Sequence, residues 1–178
     1  MRIVAVLMYM TVLVSSCDTP PREQQPLEDD PYRDAPLHVS TDITVRFYDS
    51  VRTRANLESG TARLDEDRRE TTLGQGVTVV FYDQHSGKQA ARLTSDSAIV
   101  DDRSRDMIAI GNVVVYSDSS KTTLRTERLV WEQSTELIRS DADVNIRTPT
   151  ETIEGQGFVS DQLLTSYRIF KVRGVHQK

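Results

Sequence analysis

Four acidic residues at recurring positions are the first candidates for chemistry, because paired carboxylates can act as general acid and base. They are Asp65, Asp101, Glu132 and Asp161. Each one closes an apolar stretch and precedes a polar turn, a position where acidic side chains favour turn geometry. We therefore interpret them as turn residues and expect no enzyme. A surface hydrolase acting on glycans is the alternative, and it would require two of these carboxylates to converge in one cleft.

The other residues that could do chemistry are few and scattered. None of the histidines, His38, His85 and His176, is spaced with another as in a metal-ligand set, and a lone cysteine can form neither an internal disulfide nor a thiolate-rich metal site. The chain has no GKT or GKS phosphate loop. Its net charge of -5 argues against a nucleic-acid partner, which needs an excess of basic side chains. We expect neither a metal nor a cofactor.

The single cysteine, Cys17, follows an apolar N-terminal segment. Arg2 precedes a largely apolar run over residues 3–14, which is shorter than the roughly 20 residues that span a bilayer. Two serines and the cysteine then resemble the lipobox of bacterial lipoproteins, in which the cysteine is acylated. We predict that residues 1–16 are a cleaved lipoprotein signal peptide and that acylated Cys17 anchors the chain to a membrane. The alternative is an ordinary secretory signal with an incidental cysteine.

The segment from 17 to 36 contains five of the six prolines together with many acidic residues. Such a segment cannot bury enough apolar surface to order itself, so we predict a disordered tether with a reach on the order of 60 Å. Asp18, directly after the cysteine, resembles the residue that retains enterobacterial lipoproteins at the inner membrane. That sorting rule differs between bacterial groups, so the inner membrane is expected and the outer membrane stays open. Residues 37–178 form the predicted folded domain.

Alternation of apolar and polar residues with period two predicts β-strands in this domain. It is present at residues 43–47, 77–82 and 143–147, and no stretch has a sustained helical spacing of apolar residues. Hydrophobic residues make up only 37% of the chain, which is low for a packed helical bundle. The fold class is therefore predicted to be all-β.

A weak internal repeat organises the predicted strands. Four nine-residue segments, 57–65, 93–101, 124–132 and 153–161, share an apolar first, a small third, an apolar sixth and an acidic ninth position. Each is followed by a turn and a returning strand, and such hairpins must stack to share one apolar face. The stack would have two edge strands that can pair with other chains. Its lining either receives acyl chains or is a filled core, and the strand pattern leaves both open.

Six short motifs in the domain carry a family resemblance. In chain order they are Gly76-Val-Thr-Val-Val-Phe-Tyr, Leu93-Thr-Ser-Asp-Ser-Ala, Ile110-Gly-Asn-Val-Val-Val-Tyr, Leu124-Arg-Thr-Glu-Arg-Leu-Val-Trp-Glu, Ile138-Arg-Ser-Asp and Gly155-Gln-Gly-Phe-Val-Ser-Asp. Together they resemble the LptC family of periplasmic lipopolysaccharide-export proteins, nearly without gaps. The related OstA-like transport proteins share hairpins of this style.

The resemblance implies a twisted antiparallel β-jelly roll of the OstA-like type. It also implies that the protein takes lipopolysaccharide from the permease subunits of an inner-membrane ABC transporter. An apolar groove would then pass the lipid to the next protein, a periplasmic bridge jelly roll, towards the outer membrane. The familiar enterobacterial members keep an N-terminal transmembrane helix, whereas this chain carries the lipobox. A structural or assembly envelope lipoprotein with a filled core and edge contacts only is the alternative function.

The apolar strand faces supply the predicted lipid-binding groove, and Trp131 is a strong candidate because a large ring can form a groove wall. A change of parity around Gly111 and Asn112 predicts a bulge that bends its strand. The predicted partner edge for the bridge protein is Tyr167, Ile169 and Val172. The predicted groove residues are Val77, Val79, Phe81, Ile108, Ile110, Val113, Val115, Leu129, Trp131, Val144, Ile146, Phe158 and Ile169.

Overall fold

The computed structural model describes residues 39–49 and 52–177, and all regular secondary structure in these residues is β-strand. The all-β prediction is thus confirmed. Among the described residues there is no helix long and apolar enough to cross a membrane. The predicted signal peptide, Cys17 and the tether lie outside the described residues.

Ten antiparallel strands form one continuous sheet with a jelly-roll-like bend, in the order β1-β2-β3-β4-β6-β7-β8-β9-β10, and β5 continues the line of β4 between β3 and β6. The strands are β1 (Val39–Asp49), β2 (Arg52–Asp65), β3 (Glu70–Tyr82), β4 (Gln89–Ser95), β5 (Ser97–Asp101), β6 (Met107–Ser117), β7 (Thr123–Glu132), β8 (Leu137–Arg147), β9 (Glu151–Asp161) and β10 (Tyr167–Gln177). Except for β4 and β5, which follow each other along one line, each strand pairs with the next through a turn, so the chain forms the predicted stack of hairpins.

The period-two alternation gives the sheet an inner and an outer face. On the inner face, side chains such as Leu57, Phe81, Leu93 and Leu129 are no more than 1% exposed and belong to one hydrophobic cluster. The polar residues that alternate with these side chains along each strand lie on the outer face. The domain therefore has a single core, enclosed by the bent sheet itself.

A line of bulges crosses the sheet and produces the bend. The strand registers shift at corresponding levels, for example after Ser59 in β2, between Ile110 and Val113 in β6, and after Thr126 in β7. Between β4 and β5 the chain breaks at Asp96, whose backbone bonds to Gly76 and Gly111 on the two sides. Bulges bend and twist strands. Their alignment folds the sheet along one line.

The small third position of the sequence repeat lies on this line. The buried hydroxyl groups of Ser59 and Ser95 lie within hydrogen-bond distance of the carbonyl oxygen two residues further on, at 2.9 and 3.0 Å, and the Thr126 hydroxyl lies 3.4 Å from the corresponding carbonyl oxygen. The Thr126 hydroxyl also lies 2.8 Å from the carbonyl oxygen of Asp143. A bulge removes carbonyls from the ladder, and a buried carbonyl without a donor is costly. Three of the four repeats therefore supply a hydroxyl where their strand bends, whereas the fourth has Gly155 at this position.

The bulge in β6 falls at Gly111 and Asn112, as the change of parity predicted, and both residues have positive φ. It also corrects two of the predicted groove residues. Ile108 and Ile110 lie on the outer face, where Ile110 is 37% exposed, whereas Met107 and Ala109 occupy the inner face with no exposure. Before the bulge, the residues on both faces of β6 are apolar, so the sequence pattern could not show which face is buried.

We predict that Thr126→Val destabilises the domain by about 1–3 kcal/mol, because the substitution keeps the shape of the side chain but leaves buried carbonyls on the bend without their donor. Thr123→Val, on the half-buried start of the same strand, should change stability by less than about 0.5 kcal/mol. Urea unfolding measures both free energies. Equal stability of the two variants would contradict the role given to the Thr126 hydroxyl.

Candidate functional site

Most of the predicted groove residues lie in the closed part of the core. Ten of them are between 0 and 3% exposed, and Ile169 is half-buried and packs against the cluster. Whether these side chains contact a lipid stays a prediction. The ten are Val77, Val79, Phe81, Val113, Val115, Leu129, Trp131, Val144, Ile146 and Phe158.

At one end of the sheet the inner face opens into an apolar cleft of about 520 Å³. The cleft exists because the inner face of β1 is largely uncovered. Val45, whose neighbour in β2 is the buried Leu57, is itself 41% exposed. The apolar residues that line the cleft are Ile43, Val45, Phe47, Leu57, Ala62, Leu73 and Val100.

Sequence reasoning did not place these cleft residues in the site. The alternation of Ile43, Val45 and Phe47 predicted a strand correctly, and these residues do share one face of β1. Whether such a face is covered depends on the opposing part of the sheet. The alternation within β1 contains no information about that part. In the described chain β1 is an edge strand that pairs only with β2.

Charged residues surround the cleft. Arg105 lines it and makes no ion pair with a described residue. Arg46 also contributes to the lining, but it lies between the inward residues Val45 and Phe47 and belongs to the outer face of β1. The acidic residues of the rim are engaged in turns. The backbone N–H of Ser104 donates to the carboxylate of Asp101 and lowers its pKa, and Asp102 accepts a hydrogen bond of 2.9 Å from the Thr71 hydroxyl. The rim can therefore offer the guanidinium of Arg105 to an anionic group.

An aromatic cluster forms the inner end of the cleft. Phe47 lines the cleft and is only 5% exposed, because its ring packs edge-on against Trp131 with the ring centroids 5.1 Å apart. Phe81 packs against Trp131 at the same distance from within the core. The indole Nε1 of Trp131 donates a hydrogen bond of 3.1 Å to Oε1 of Gln162. Phe47 thus separates the cleft from the closed interior.

The four recurring carboxylates each serve the turn that follows their own strand. Asp65 accepts from the N–H of Arg68, Glu132 from the hydroxyl of Thr135, and Asp101 and Asp161 from several turn donors. Burial opposes ionisation of Asp161, but hydrogen bonds from Thr165 and neighbouring N–H groups outweigh it and lower the pKa. These positions are the turn residues that the sequence predicted.

Metal ligation has no candidate in the part of the chain that the structure describes. No group of three or more histidine, cysteine, aspartate or glutamate side chains comes together in residues 39–49 and 52–177.

The predicted partner edge lies on β10, which forms one border of the sheet. Its side chains differ in exposure. Tyr167 is half-buried against Phe158, and burial, followed by the charge of Glu151, raises the pKa of its phenol. Val172 is 55% exposed and Phe170 is 61% exposed. The outward-facing Phe170 was not among the predicted edge residues, although it falls within that stretch of the sequence.

The fold and the cleft together define a class of jelly-roll-like proteins whose apolar interior opens at one end of the sheet. Residues 2–177 match the family described as lipopolysaccharide-assembly, LptC-related. The chain therefore belongs to this family, and the resemblance in its motifs is confirmed. The family acts in lipopolysaccharide transport and assembly in the cell envelope and is not a known enzyme family. No curated protein matches the chain.

Proposed function

We propose that this protein is the periplasmic subunit that accepts lipopolysaccharide from the permease subunits of an inner-membrane ABC transporter and passes it to a bridge jelly-roll protein. The observation that supports this most directly is the apolar cleft of about 520 Å³, which adjoins the core at its aromatic end. An acyl chain that leaves the transporter would be received there. The interior behind it would carry the chain onward.

The physical benefit of such a site is the removal of acyl surface from water. Each buried methylene contributes about 0.8 kcal/mol, so a chain of ten methylenes in the cleft would gain about 8 kcal/mol relative to water. The guanidinium group of Arg105 at the rim would meet a phosphate group of the headgroup, for which arginine is well suited. Movement along a lining of uniform character needs no large barrier, and the energy for extraction would come from the transporter.

The alternative function, an assembly lipoprotein that makes edge contacts only, is favoured by one observation. Ten of the predicted groove residues are no more than 3% exposed, so the closed part of the core is filled. The two proposals differ in whether lipid contacts the inner face of β1. They can therefore be separated by a contact measurement at the cleft.

We predict that p-azidophenylalanine at Val45 captures lipopolysaccharide on irradiation of living cells, because this inward side chain is 41% exposed in the cleft. The matched control is Thr44, the adjacent exposed residue on the opposite face of the same strand. Its photoproduct should contain at least tenfold less lipopolysaccharide. Equal capture at the two positions, or none at Val45, would favour the assembly role.

The anchor is part of the same proposal. Residues 1–16 would be removed, acylated Cys17 would hold the chain at the inner membrane, and residues 17–36 would tether the domain. Two or three acyl chains give stable membrane attachment, whereas one chain gives only reversible binding.

Cys17→Ala should move the protein from the membrane fraction to the soluble periplasmic fraction, because the substitution removes the acylated thiol. Immunoblots of fractionated cells measure the distribution, and Gln24→Ala, in the predicted tether, serves as a control that keeps the whole lipobox. A Cys17→Ala protein that stays with the membrane to the same extent would show that another contact holds it there.

The two edge strands would connect the protein to its neighbours. In the described part of the chain, β1 and β10 are each paired on one side only, so both have backbone groups free to extend the sheet into another chain. We assign β1 to the transporter and the stretch from Tyr167 to Val172 of β10 to the bridge protein. The exposed side chains of Phe170 and Val172 would pack on the added strand.

Val172→Asp should reduce co-purification of the bridge jelly roll at least tenfold and leave the transporter bound, because a charge would be buried at one edge only. Val39→Asp provides the matched control: it places the same charge on β1, where Val39 is 50% exposed, and should have the opposite selectivity. Loss of the same partner in both variants would contradict the assignment of the two edges.

A further inference from the structure

The strand β1 is held over the interior by a single buried side chain. Of its eleven residues, all of which the structure describes, only Phe47 is buried. The remaining inner side chains of the strand, such as Val45, face the open cleft. Apart from its ladder with β2, the contact of Phe47 with Trp131 is therefore what holds the inner face of β1 to the core.

An ionic contact lies at the end of the same strand. The guanidinium of Arg54 in β2 pairs with the carboxylate of Asp49, the last residue of β1, at 3.3 Å. Arg54 also pairs with the carboxylate of Glu136, in the turn between β7 and β8. This arginine thereby links the β1–β2 hairpin to the opposing half of the roll. Its side chain is 22% exposed, and its Nε is buried without a hydrogen-bond partner among the described residues.

The aromatic and the ionic contacts share one support. Gln162 accepts the indole N–H of Trp131 through Oε1, and its own backbone N–H donates a hydrogen bond of 3.0 Å to the carbonyl oxygen of Glu136. The partner of Phe47 and the partner of Arg54 are thus fixed to the same residue. We refer to Phe47, Arg54, Trp131 and Glu136 together as the clasp.

We propose that the clasp is the gate between the cleft and the closed interior, and that an acyl chain opens it by taking the place of the Phe47 ring against Trp131. This proposal rests on the proposed function. It explains how a core whose side chains are fully packed could still receive lipid. The Phe47 ring borders the cleft on one side and contacts Trp131 on the other, so its displacement would join the two spaces.

The chemistry of the clasp suits reversible opening. Replacement of one apolar group by another against Trp131 keeps the indole out of water, so the open state is stabilised by the ligand that uses it. The pairs of Arg54 are partly exposed, with the carboxylates of Glu136 and Asp49 at 33% and 56%, and such pairs are weak and screened by salt. When no acyl chain is bound, the contact of Phe47 with Trp131 closes the gate.

A disulfide across the clasp tests the gate. The double variant Arg54→Cys with Glu136→Cys joins the two halves when oxidised, and each single variant is a control that cannot form this bridge. Photocrosslinking in cells then compares p-azidophenylalanine at Val45, in the cleft, with the same residue at Phe81, behind Trp131. Mass spectrometry of the purified chain verifies the bridge.

The oxidised pair should lower capture of lipopolysaccharide at Phe81 at least tenfold without changing capture at Val45, and a reductant should restore it. Unchanged capture at Phe81 in the bridged protein would overturn the gate and leave the transport proposal intact. If the unbridged protein captures lipid at neither position, the proposed function itself fails. The two failures are therefore distinguishable.

A second variant keeps the proposal testable where the bridge does not form. Phe47→Ala removes the ring, and Phe47→Leu is the control that keeps an apolar side chain in its place. Trp131 is the only tryptophan, so quenching of its fluorescence by a dibrominated fatty acid reports whether an acyl chain reaches it. The alanine variant of the full chain should need at least threefold less fatty acid for half-maximal quenching than the leucine variant. Identical quenching curves for two folded variants would overturn the gate.

Discussion

The structure depends on one constraint: every strand of a ten-stranded sheet must bend at the same level without leaving buried carbonyl groups unpaired. A flat sheet of this size would expose its whole apolar face, and the bend encloses that face. Bulges supply the bend, but each one removes a carbonyl from the ladder of hydrogen bonds. The inward hydroxyls of Ser59, Ser95 and Thr126 restore the missing donors within the strand itself. Burial of the core, the position of the open end and the orientation of the edges all follow from this line of bends.

The sequence predicted the parts of this arrangement that depend on local pattern. Alternation identified strands, and the repeat identified both the small residue at the bend and the acidic residue of the following turn. It could not show that the small residue acts as a hydrogen-bond donor, because that role requires a carbonyl exposed by the bulge. Nor could it decide which face of β6 is buried, since Ile108 and Ile110 alternate with the equally apolar Met107 and Ala109. The cleft escaped prediction because exposure of β1 is decided by strands far away in the sequence.

A filled core and a lipid carrier are physically compatible only if the core can exchange its own side chains for lipid. A permanently empty channel would expose apolar surface to water or collapse, and both states are unfavourable. A packed interior avoids this cost when no lipid is present. The cleft beside β1 then supplies the starting volume, and Phe47 supplies an apolar group that an acyl chain can replace. The position of this exchange at an edge strand means that only one ladder, between β1 and β2, has to adjust.

Such an exchange also limits what the protein can contribute to transport. If lipid replaces a ring of similar character, the free energies of the closed and the occupied states are close, and the protein gives the lipid no strong direction. In the proposed transport role, direction would then come from the two neighbours, one that delivers lipid and one that removes it. Weak selectivity along the interior is an advantage in this arrangement, because a deep binding site would retain the lipid. The strong interactions are accordingly found where the fold needs them, in the bends and turns, and the contacts around the cleft are apolar or partly screened.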